Sequence, residues 1–153
     1  TDPLTGLANR RPVWERLEDA ALGGSVATVA IADMDHFKAL NDTYGHDCGD
    51  DALRHVAHVL TEALRTEDLV ARWGGEEFLL IVELPLDKAL PVLERARRRV
   101  AETNVYCPNG EPHRITLSIG VAEVANADPA AAITAADSAL YRAKQAGRDR
   151  VVV

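Results

Sequence analysis

The chain carries the sequence RWGGEEF at residues 72–78, between the apolar runs 69–71 and 78–82. A Gly-Gly pair between two strand-like runs predicts a β-hairpin closed by a two-residue turn, because both central positions of such turns favour positive φ. Glu76 and Glu77 follow the glycines at once, which places two carboxylates at the tip of the hairpin. Adjacent carboxylates repel each other unless a cation or a cluster of donors neutralises them. The stretch therefore indicates either a functional site or a solvated, charged turn.

Size and charge narrow the classes of protein that fit. The chain has 153 residues, of which 47% are hydrophobic, and this fits one globular domain with a sizeable core. Its formal net charge of −7, from 17 basic and 24 acidic residues, argues against binding a nucleic acid polymer through a general basic surface. A nucleotide substrate remains compatible with this charge if a metal and a few local Lys or Arg side chains offset its phosphates.

We expect a reduced, cytoplasmic segment that makes no membrane contact. No apolar run approaches the roughly 20 residues that span a bilayer, and no signal peptide is visible. Cys48 and Cys107 lack metal-ligand spacing; a disulfide between them stays open, but a reduced pair is the simpler expectation. Because the sequence starts without Met and directly in a motif, we expect an excised domain whose parent protein could be membrane-anchored through other segments.

The order of the predicted elements indicates an α/β or α+β domain with a mixed sheet. Periodicity and capping residues predict helices at about 11–21, from Asp50 to about 64, at 87–102 and at 130–145. Strands are predicted at 26–32, in the hairpin, at 115–121 and at the edge 150–153. A helical turn is expected at 37–41, followed by a loop at 42–45.

Acidic residues in two segments favour a divalent cation site. Asp33 comes where an apolar strand ends, and Mg²⁺ is typically held by one or two carboxylates plus substrate phosphates. Asp33 and the hairpin acids would supply such a pair if their strands are neighbours. Side chains alternate along a strand, so we expect one principal ligand from each segment. The alternative is a solvated charge at a strand end, which applies to Asp35 more than to Asp33.

Polar residues elsewhere suit a guanine nucleotide, although each has an ordinary structural alternative. Asn41 and Asp50 flank a Gly-containing loop, and an amide with a carboxylate matches the guanine edge; Asp50 would otherwise be a helix N-cap. Lys144 and Arg148 suit a triphosphate, or they complement the dipole at the end of the last helix. Arg65 and Asp68 have the i, i+3 spacing of an ordinary intrahelical salt bridge.

Seven motifs in order match one known family. They are TDPLTGLANRR at 1–11, DMDHFK at 33–38, NDTYGH at 41–46, GD at 49–50, GGEEF at 74–78, SIGVA at 118–122, and AD through YRAK at 136–144. On these motifs the chain resembles the GGDEF domain of diguanylate cyclases over essentially its whole length. The resemblance implies a single GGDEF domain over residues 1–153, excised from a longer sensory protein.

The resemblance also implies a fold and an activity. The expected fold is α+β, with a five-stranded, mostly antiparallel central sheet surrounded by helices, similar to the polymerase palm and to nucleotide cyclases. The expected reaction condenses two GTP molecules into cyclic di-GMP and releases two pyrophosphates. Each domain would bind one GTP, so the active form would be a homodimer.

Site residues follow from the resemblance position by position. Mg²⁺, or Mn²⁺ in its place, would be bound by Asp33, the backbone carbonyl of Met34 and Glu76, with Glu77 beside them. Glu76 would also help to deprotonate the attacking 3′-hydroxyl. Asn41 and Asp50 would bind guanine, with Asp50 favouring GTP over ATP. The phosphates would be held by His36, Phe37, Lys38, Lys144 and Arg148.

Arg65 and Asp68 match the R-x-x-D motif at which the family binds its product as an inhibitor, with Arg95 as a second arginine. Two alternatives to an enzyme remain. One is a non-enzymatic GGDEF receptor that binds GTP or cyclic di-GMP, and the other is a domain that activates an attached phosphodiesterase. The intact GGEEF signature favours the enzyme.

Overall fold

The computed structural model describes residues 1–124 and 128–153. Five helices and seven strands alternate irregularly along these ranges. In chain order they are α1 (Arg10–Gly23), β1 (Thr28–Met34), α2 (Phe37–Tyr44), α3 (His46–Ala63), β2 (Leu69–Arg72), β3 (Glu77–Val82), α4 (Leu86–Glu102), β4 (Asn104–Tyr106), β5 (Pro112–Arg114), β6 (Leu117–Glu123), α5 (Pro129–Gln145) and β7 (Arg150–Val152).

The central sheet has five strands in the order β2-β3-β1-β6-β7. All its pairings are antiparallel except that of β6 with β7, which is parallel. The predicted α+β fold with a mostly antiparallel five-stranded sheet is thus confirmed. β4 and β5 form a separate two-stranded hairpin beside this sheet.

Helices cover both faces of the sheet because its strands alternate apolar side chains between two cores. One core joins α3 and α4 to residues such as Ala30, Phe78 and Ile119. The other joins α1 and α5 to their strand neighbours, such as Ile31 and Leu79. β1 is the central strand, buried along almost its whole length. Its end at Met34 therefore lies in the middle of one edge of the sheet.

The helix boundaries differ from prediction between residues 37 and 50. The expected loop at 42–45 is wrong, because α2 continues to Tyr44 and α3 begins at His46. A single residue, Gly45 with φ of 90°, separates the two helices, and its left-handed backbone makes the sharp change of direction possible. Asp50 therefore lies inside α3, so the N-cap interpretation of that residue is wrong.

The hairpin of β2 and β3 is confirmed, but its two-residue turn is wrong. Arg72 pairs with Phe78 and the Trp73 amide donates to the Glu77 carbonyl at 2.8 Å, so the connection spans residues 74–76. The glycines with positive φ in the described ranges lie elsewhere. A Cβ on Gly74 would lie 2.9 Å from the Glu77 Oε1 atom, so this glycine makes room for a carboxylate.

The expectation of a reduced cysteine pair is also wrong for this structure. Cys48, on α3, and Cys107, just after β4, form a disulfide with a Cα–Cα distance of 4.8 Å. The β4–β5 hairpin packs beside the start of α3 and brings the two residues together across 59 positions of sequence. The spacing of the two cysteines in the sequence does not predict this contact. None of the described helices is both long and apolar enough to cross a membrane.

Gly120 on β6 packs closely against the backbone of α5. A Cβ added there would overlap the Ala136 carbonyl oxygen and would lie 2.7 Å from the Leu140 Cα atom. Both are backbone atoms of a helix, so neither can rotate away. Gly120→Ala should therefore lower the unfolding free energy by roughly 3 kcal/mol, because overpacking forces the helix off the sheet.

Thermal unfolding followed by circular dichroism measures this effect, and we expect Tm to fall by about 10 °C. Gly23→Ala at the end of α1 is the matched control, because its Cβ would meet only the Ser25 Oγ atom at 3.8 Å. Equal Tm values for the two variants would contradict the packing argument.

Candidate active site

The carboxylates predicted to share a site do lie together. Asp33 on β1 is the register partner of Glu77 on β3, and the Met34 amide donates to the Glu76 carbonyl at 3.2 Å. The end of β1 and the start of β3 open on a cavity of about 460 Å³. Its lining is formed by Asp33, Phe37, Lys38, Asn41, Asp42, His46, Gly75, Glu76 and Glu77.

Three of these carboxylates lie in an unfavourable environment for negative charge. Burial raises the pKa of Glu76, and the neighbouring Asp33 and Glu77 raise it further. Burial likewise raises the pKa of Glu77, with added repulsion from Asp33 and Asp137. The pKa of Asp33 is raised by burial in spite of a hydrogen bond from Lys144. The cluster thus holds more negative charge than its neighbours neutralise.

For Asp35, the alternative of a solvated charge at a strand end is wrong. The residue is only 5% exposed, and its carboxylate accepts four hydrogen bonds. The donors are the hydroxyls of Thr116 and Ser118 at 2.7 Å, the Lys144 ammonium at 2.8 Å and the Asp149 amide at 3.1 Å. Burial opposes ionisation, but the hydrogen bonds outweigh it and lower the pKa of Asp35.

Lys144 links this buried carboxylate to the cavity. Its Nζ atom lies 2.8 Å from an oxygen of Asp33 and 2.8 Å from an oxygen of Asp35. Burial lowers the pKa of Lys144, but the two carboxylates more than compensate and raise it, so the side chain stays charged. An interaction with the helix dipole alone does not account for such a residue. Arg148 follows in a left-handed conformation with φ of 64°, close enough to favour the charged form of Asp33.

The start of α2 faces the same cavity. His36 precedes the helix in a left-handed conformation with φ of 57°, which is uncommon for a residue with a side chain. Phe37 and Lys38, in the first turn, line the cavity. Free amide groups at a helix N-terminus suit an anionic ligand. The side chain of Lys38 is 88% exposed and forms an ion pair with Asp42 at 2.8 Å.

Asn41 has an unused acceptor. Its Oδ1 atom is buried and accepts no hydrogen bond from the described residues. Gly49 lies directly against it, since a Cβ there would be 2.8 Å from the Asn41 Cγ atom. Asp50, predicted to act with Asn41, follows Gly49 on α3 and is outside the residues that line the cavity. Buried polar atoms without partners are rare, and this one lies on the side of the Asn41 amide that packs against Gly49.

The predicted inhibitory residues form a separate cluster at the far end of α3. The Asp68 side chain is 0% exposed and accepts hydrogen bonds from the Arg65 side chain, the Arg65 amide and the Glu83 amide. Arg65 lies beyond the end of α3, so the intrahelical interpretation of this salt bridge is wrong. Arg95 on α4 donates to the Ala63 carbonyl at 3.0 Å. A cavity of about 410 Å³ opens beside Arg65 and Asp68.

Arg72 is a residue that sequence reasoning missed. Its guanidinium donates to the carbonyls of Gly74 (3.3 Å) and Gly75 (2.7 Å), and it forms an ion pair with Asp2 at 3.2 Å. Asp2 in turn accepts hydrogen bonds from Thr5. Arg72 thereby ties the connection at 74–76 to the first turn of the chain. Asp2 and Arg72 are 70 positions apart, so no local pattern links them.

The donor set of the cavity fits a divalent cation. Its ligand atoms are carboxylate oxygens, which Mg²⁺ prefers, and they are crowded enough to repel one another. A bound dication would neutralise the charge that raises their pKa values.

Comparison with known proteins points to one family. The model of the family described as "Diguanylate cyclase, GGDEF domain" matches residues 1–150. The chain is 44% identical over 162 aligned positions to the diguanylate cyclase DgcP of Pseudomonas aeruginosa, covering 100% of this chain and 24% of that protein. It is 41% identical over 160 positions to the response regulator PleD of Caulobacter vibrioides, covering 99% and 35%. The chain thus spans about a quarter to a third of these relatives.

Solved structures agree. The GGDEF domain of DgcB from Caulobacter crescentus, in complex with c-di-GMP, superposes with a TM-score of 0.92 at 36% identity, covering 99% of this chain and 94% of that one. The diguanylate cyclase SiaD of Pseudomonas aeruginosa, in complex with its activator SiaC, superposes with a TM-score of 0.93 at 43% identity, covering 99% and 60%.

The raised pKa of Glu76 predicts a stability effect. An acid whose pKa is raised on folding destabilises the fold at neutral pH, and the penalty disappears as pH falls through the raised value. Glu76→Gln should therefore raise Tm of the metal-free protein by about 2 °C at pH 7.5 and leave it unchanged near pH 4.

Thermal unfolding in a chelating buffer at both pH values measures this, with the exposed Glu18→Gln as control. Added Mg²⁺ should stabilise the wild type more than Glu76→Gln, because a ligand that binds only the folded state raises Tm. A destabilised Glu76→Gln at pH 7.5 would show that the carboxylate is already neutralised.

Proposed function

The chain belongs to the GGDEF domain family of diguanylate cyclases, and on that premise we propose that it condenses two GTP molecules into cyclic di-GMP with release of two pyrophosphates. Residues 1–153 would form the cyclase module, working in the cytoplasm where GTP is available. The observation that carries the proposal is that one cavity, lined also by Asn41, holds a surplus of carboxylates whose pKa values are raised.

The carboxylates would hold the catalytic metal. Asp33, the Met34 carbonyl and Glu76 would bind Mg²⁺, with Mn²⁺ as a substitute. When bound, the metal would neutralise charge on the phosphates and lower the pKa of the attacking 3′-hydroxyl of GTP. Glu76 would accept the proton of that hydroxyl, since burial raises its pKa towards the working pH, and this strengthens a general base. Glu77 would add a third carboxylate to the cluster of Asp33 and Glu76.

The phosphates would lie between α2 and the end of α5. The amides at His36 and Phe37 point from a helix N-terminus, and Lys38 lines the same cavity. Lys144 and Arg148 would bind from the other side, where Lys144 already contacts Asp33. These groups orient the α-phosphate and need no covalent chemistry, as is usual for phosphoryl transfer.

Asn41 and Asp50 would select guanine. The Oδ1 atom of Asn41 is an acceptor, and a carboxylate at Asp50 is another. Guanine offers an amino group and N1–H, whereas adenine has no donor at either position. With ATP bound, both acceptors would therefore lack a donor, and polar groups left unpaired in a complex penalise the wrong substrate strongly.

Gly49→Ala tests the guanine site without touching the metal site. The new methyl would displace the Asn41 amide, which is a flexible side chain, so the fold should survive. Alanine inside a helix is also intrinsically more favourable than glycine. We expect KM for GTP to rise about tenfold, with kcat and Tm nearly unchanged. A KM equal to that of the wild type would remove the role assigned to Asn41.

One domain would bind one GTP, so two domains must face each other for the symmetric product to form. We propose a homodimer as the active state, in which proximity of the two cavities controls the rate. The direct test incubates the protein with GTP and Mg²⁺ and measures cyclic di-GMP and pyrophosphate. Fusion to a dimeric coiled coil should raise turnover at least tenfold over the monomer.

Glu76→Gln in the same fusion should lose turnover by at least a hundredfold but still bind GTP. Binding of GTP without product, even in the fused dimer, would instead indicate a receptor. Equal turnover of monomer and fusion would contradict the dimer requirement.

We further propose that Arg65, Asp68 and Arg95 bind the product and limit turnover. Guanidinium groups can stack on guanine and grip phosphate, and Asp68 fixes the Arg65 guanidinium in place. Arg65→Ala should abolish inhibition by added cyclic di-GMP while leaving the initial rate within about twofold. Inhibition that persists in Arg65→Ala would place product binding elsewhere.

A further inference from the structure

The disulfide between Cys48 and Cys107 connects two parts of the chain that the main sheet does not join. Cys48 lies in the first turn of α3, next to Gly49, the residue that contacts the Asn41 amide. Cys107 follows β4 in the separate two-stranded hairpin. The bond therefore fixes the guanine side of the cavity to the β4–β5 hairpin.

The hairpin and the residues that follow it also contact two segments that carry cavity residues, α2 and the end of β1. The His113 ring, on β5, packs against the Tyr44 ring, on α2, with centroids 4.2 Å apart. Two residues after β5, Thr116 donates to Asp35, the carboxylate that anchors Lys144. Movement of the hairpin would thus displace Asn41, through α3, and Lys144, through Asp35.

We propose that Cys48 and Cys107 form a reversible redox site that sets the affinity of the cavity for GTP. Oxidised, the disulfide braces the start of α3 and keeps the Asn41 amide in its binding position. When the disulfide is reduced, the hairpin and the first turn of α3 separate more easily. Part of the free energy of GTP binding is then used to order these two segments, so the affinity is lower. The inference rests on the proposed cyclase function and deepens it.

Both cysteines are buried, so exchange requires the β4–β5 hairpin to move away from α3, but the groups around the pair favour a thiolate once it is reached. Cys48 lies at a helix N-terminus, and an atom of the His113 ring lies within 4.8 Å of both sulfur atoms. A helix N-terminus and a nearby imidazole both promote the reactive thiolate. The Nε2 atom of His113 is buried and has no hydrogen-bond partner among the described residues. In cytoplasmic proteins a disulfide is usually transient and redox-sensing, which fits such surroundings.

The step needs a low-molecular-weight disulfide as oxidant, such as oxidised glutathione. One protein thiolate attacks it, forms a mixed disulfide and releases one small thiol. The second protein thiolate then attacks the mixed disulfide, closes the Cys48–Cys107 bond and releases the second small thiol. Two protein thiol protons leave, and they appear on the two small thiols.

The test compares the wild type after dithiothreitol and after oxidised glutathione, with the thiol state checked by mass spectrometry. Binding of 3′-deoxy-GTP in Mg²⁺ is measured by calorimetry, because this analogue lacks the attacking hydroxyl and cannot react. We expect the oxidised protein to bind about three- to tenfold more tightly. Its Tm should also be about 10 °C higher, since the bond closes a segment of 59 residues.

Cys107→Ser is the matched variant, because it removes the bond from the hairpin side. It should bind like the reduced wild type under both treatments. Equal affinity of the two redox states, with the disulfide confirmed, would overturn the proposal. A stoichiometric Zn²⁺ complex of the reduced protein that blocks oxidation would also overturn it, in favour of a metal site at Cys48, Cys107 and His113. Failure to bind 3′-deoxy-GTP in either state would instead contradict the cyclase function.

Discussion

The buried carboxylate of Asp35 is the constraint on which the candidate site depends. It accepts hydrogen bonds from two residues of the segment that leads into and forms β6, from Lys144 on α5 and from the Asp149 amide before β7. A charge so deeply buried is tolerated only because its donors satisfy it. Asp35 thereby fixes three elements around the end of β1, where Asp33 faces the cavity.

Lys144 links the Asp35 carboxylate to the charge balance at the edge of the cavity. Shared between Asp33 and Asp35, its ammonium neutralises only part of the charge at the cavity edge. Glu76 and Glu77 are only partly compensated, and burial together with repulsion from neighbouring carboxylates raises their pKa values. The fold therefore retains an unfavourable cluster of negative charge, which the proposed divalent cation would relieve. Active sites commonly lower the stability of a fold in this way, because function can require charged groups that selection for stability alone would not retain.

Much of this arrangement was predictable from sequence, because the motifs are local. The pairing of Asp33 with the hairpin acids followed from one apolar strand ending in an acid and another beginning with two. The α+β sheet followed from the family resemblance. One failure depended on contacts distant in sequence, and another on a local break between two helices. Asp35 looked solvated because its partners Thr116, Ser118 and Lys144 lie more than 80 positions away. Asp50 looked like a helix cap because the sequence gives no sign that Gly45 alone separates α2 from α3.

Affinity for Mg²⁺ and nucleotide in Asp35→Asn tests this account most directly. Without the Asp35 charge, Lys144 would pair with Asp33 alone and compete with the cation for that carboxylate. Calorimetry with 3′-deoxy-GTP should then show Mg²⁺-dependent binding weakened at least tenfold, while circular dichroism confirms a folded protein. Asp51→Asn, which removes a surface ion pair with Arg54, should bind like the wild type. Wild-type affinity in a folded Asp35→Asn would contradict the central role given to the buried carboxylate.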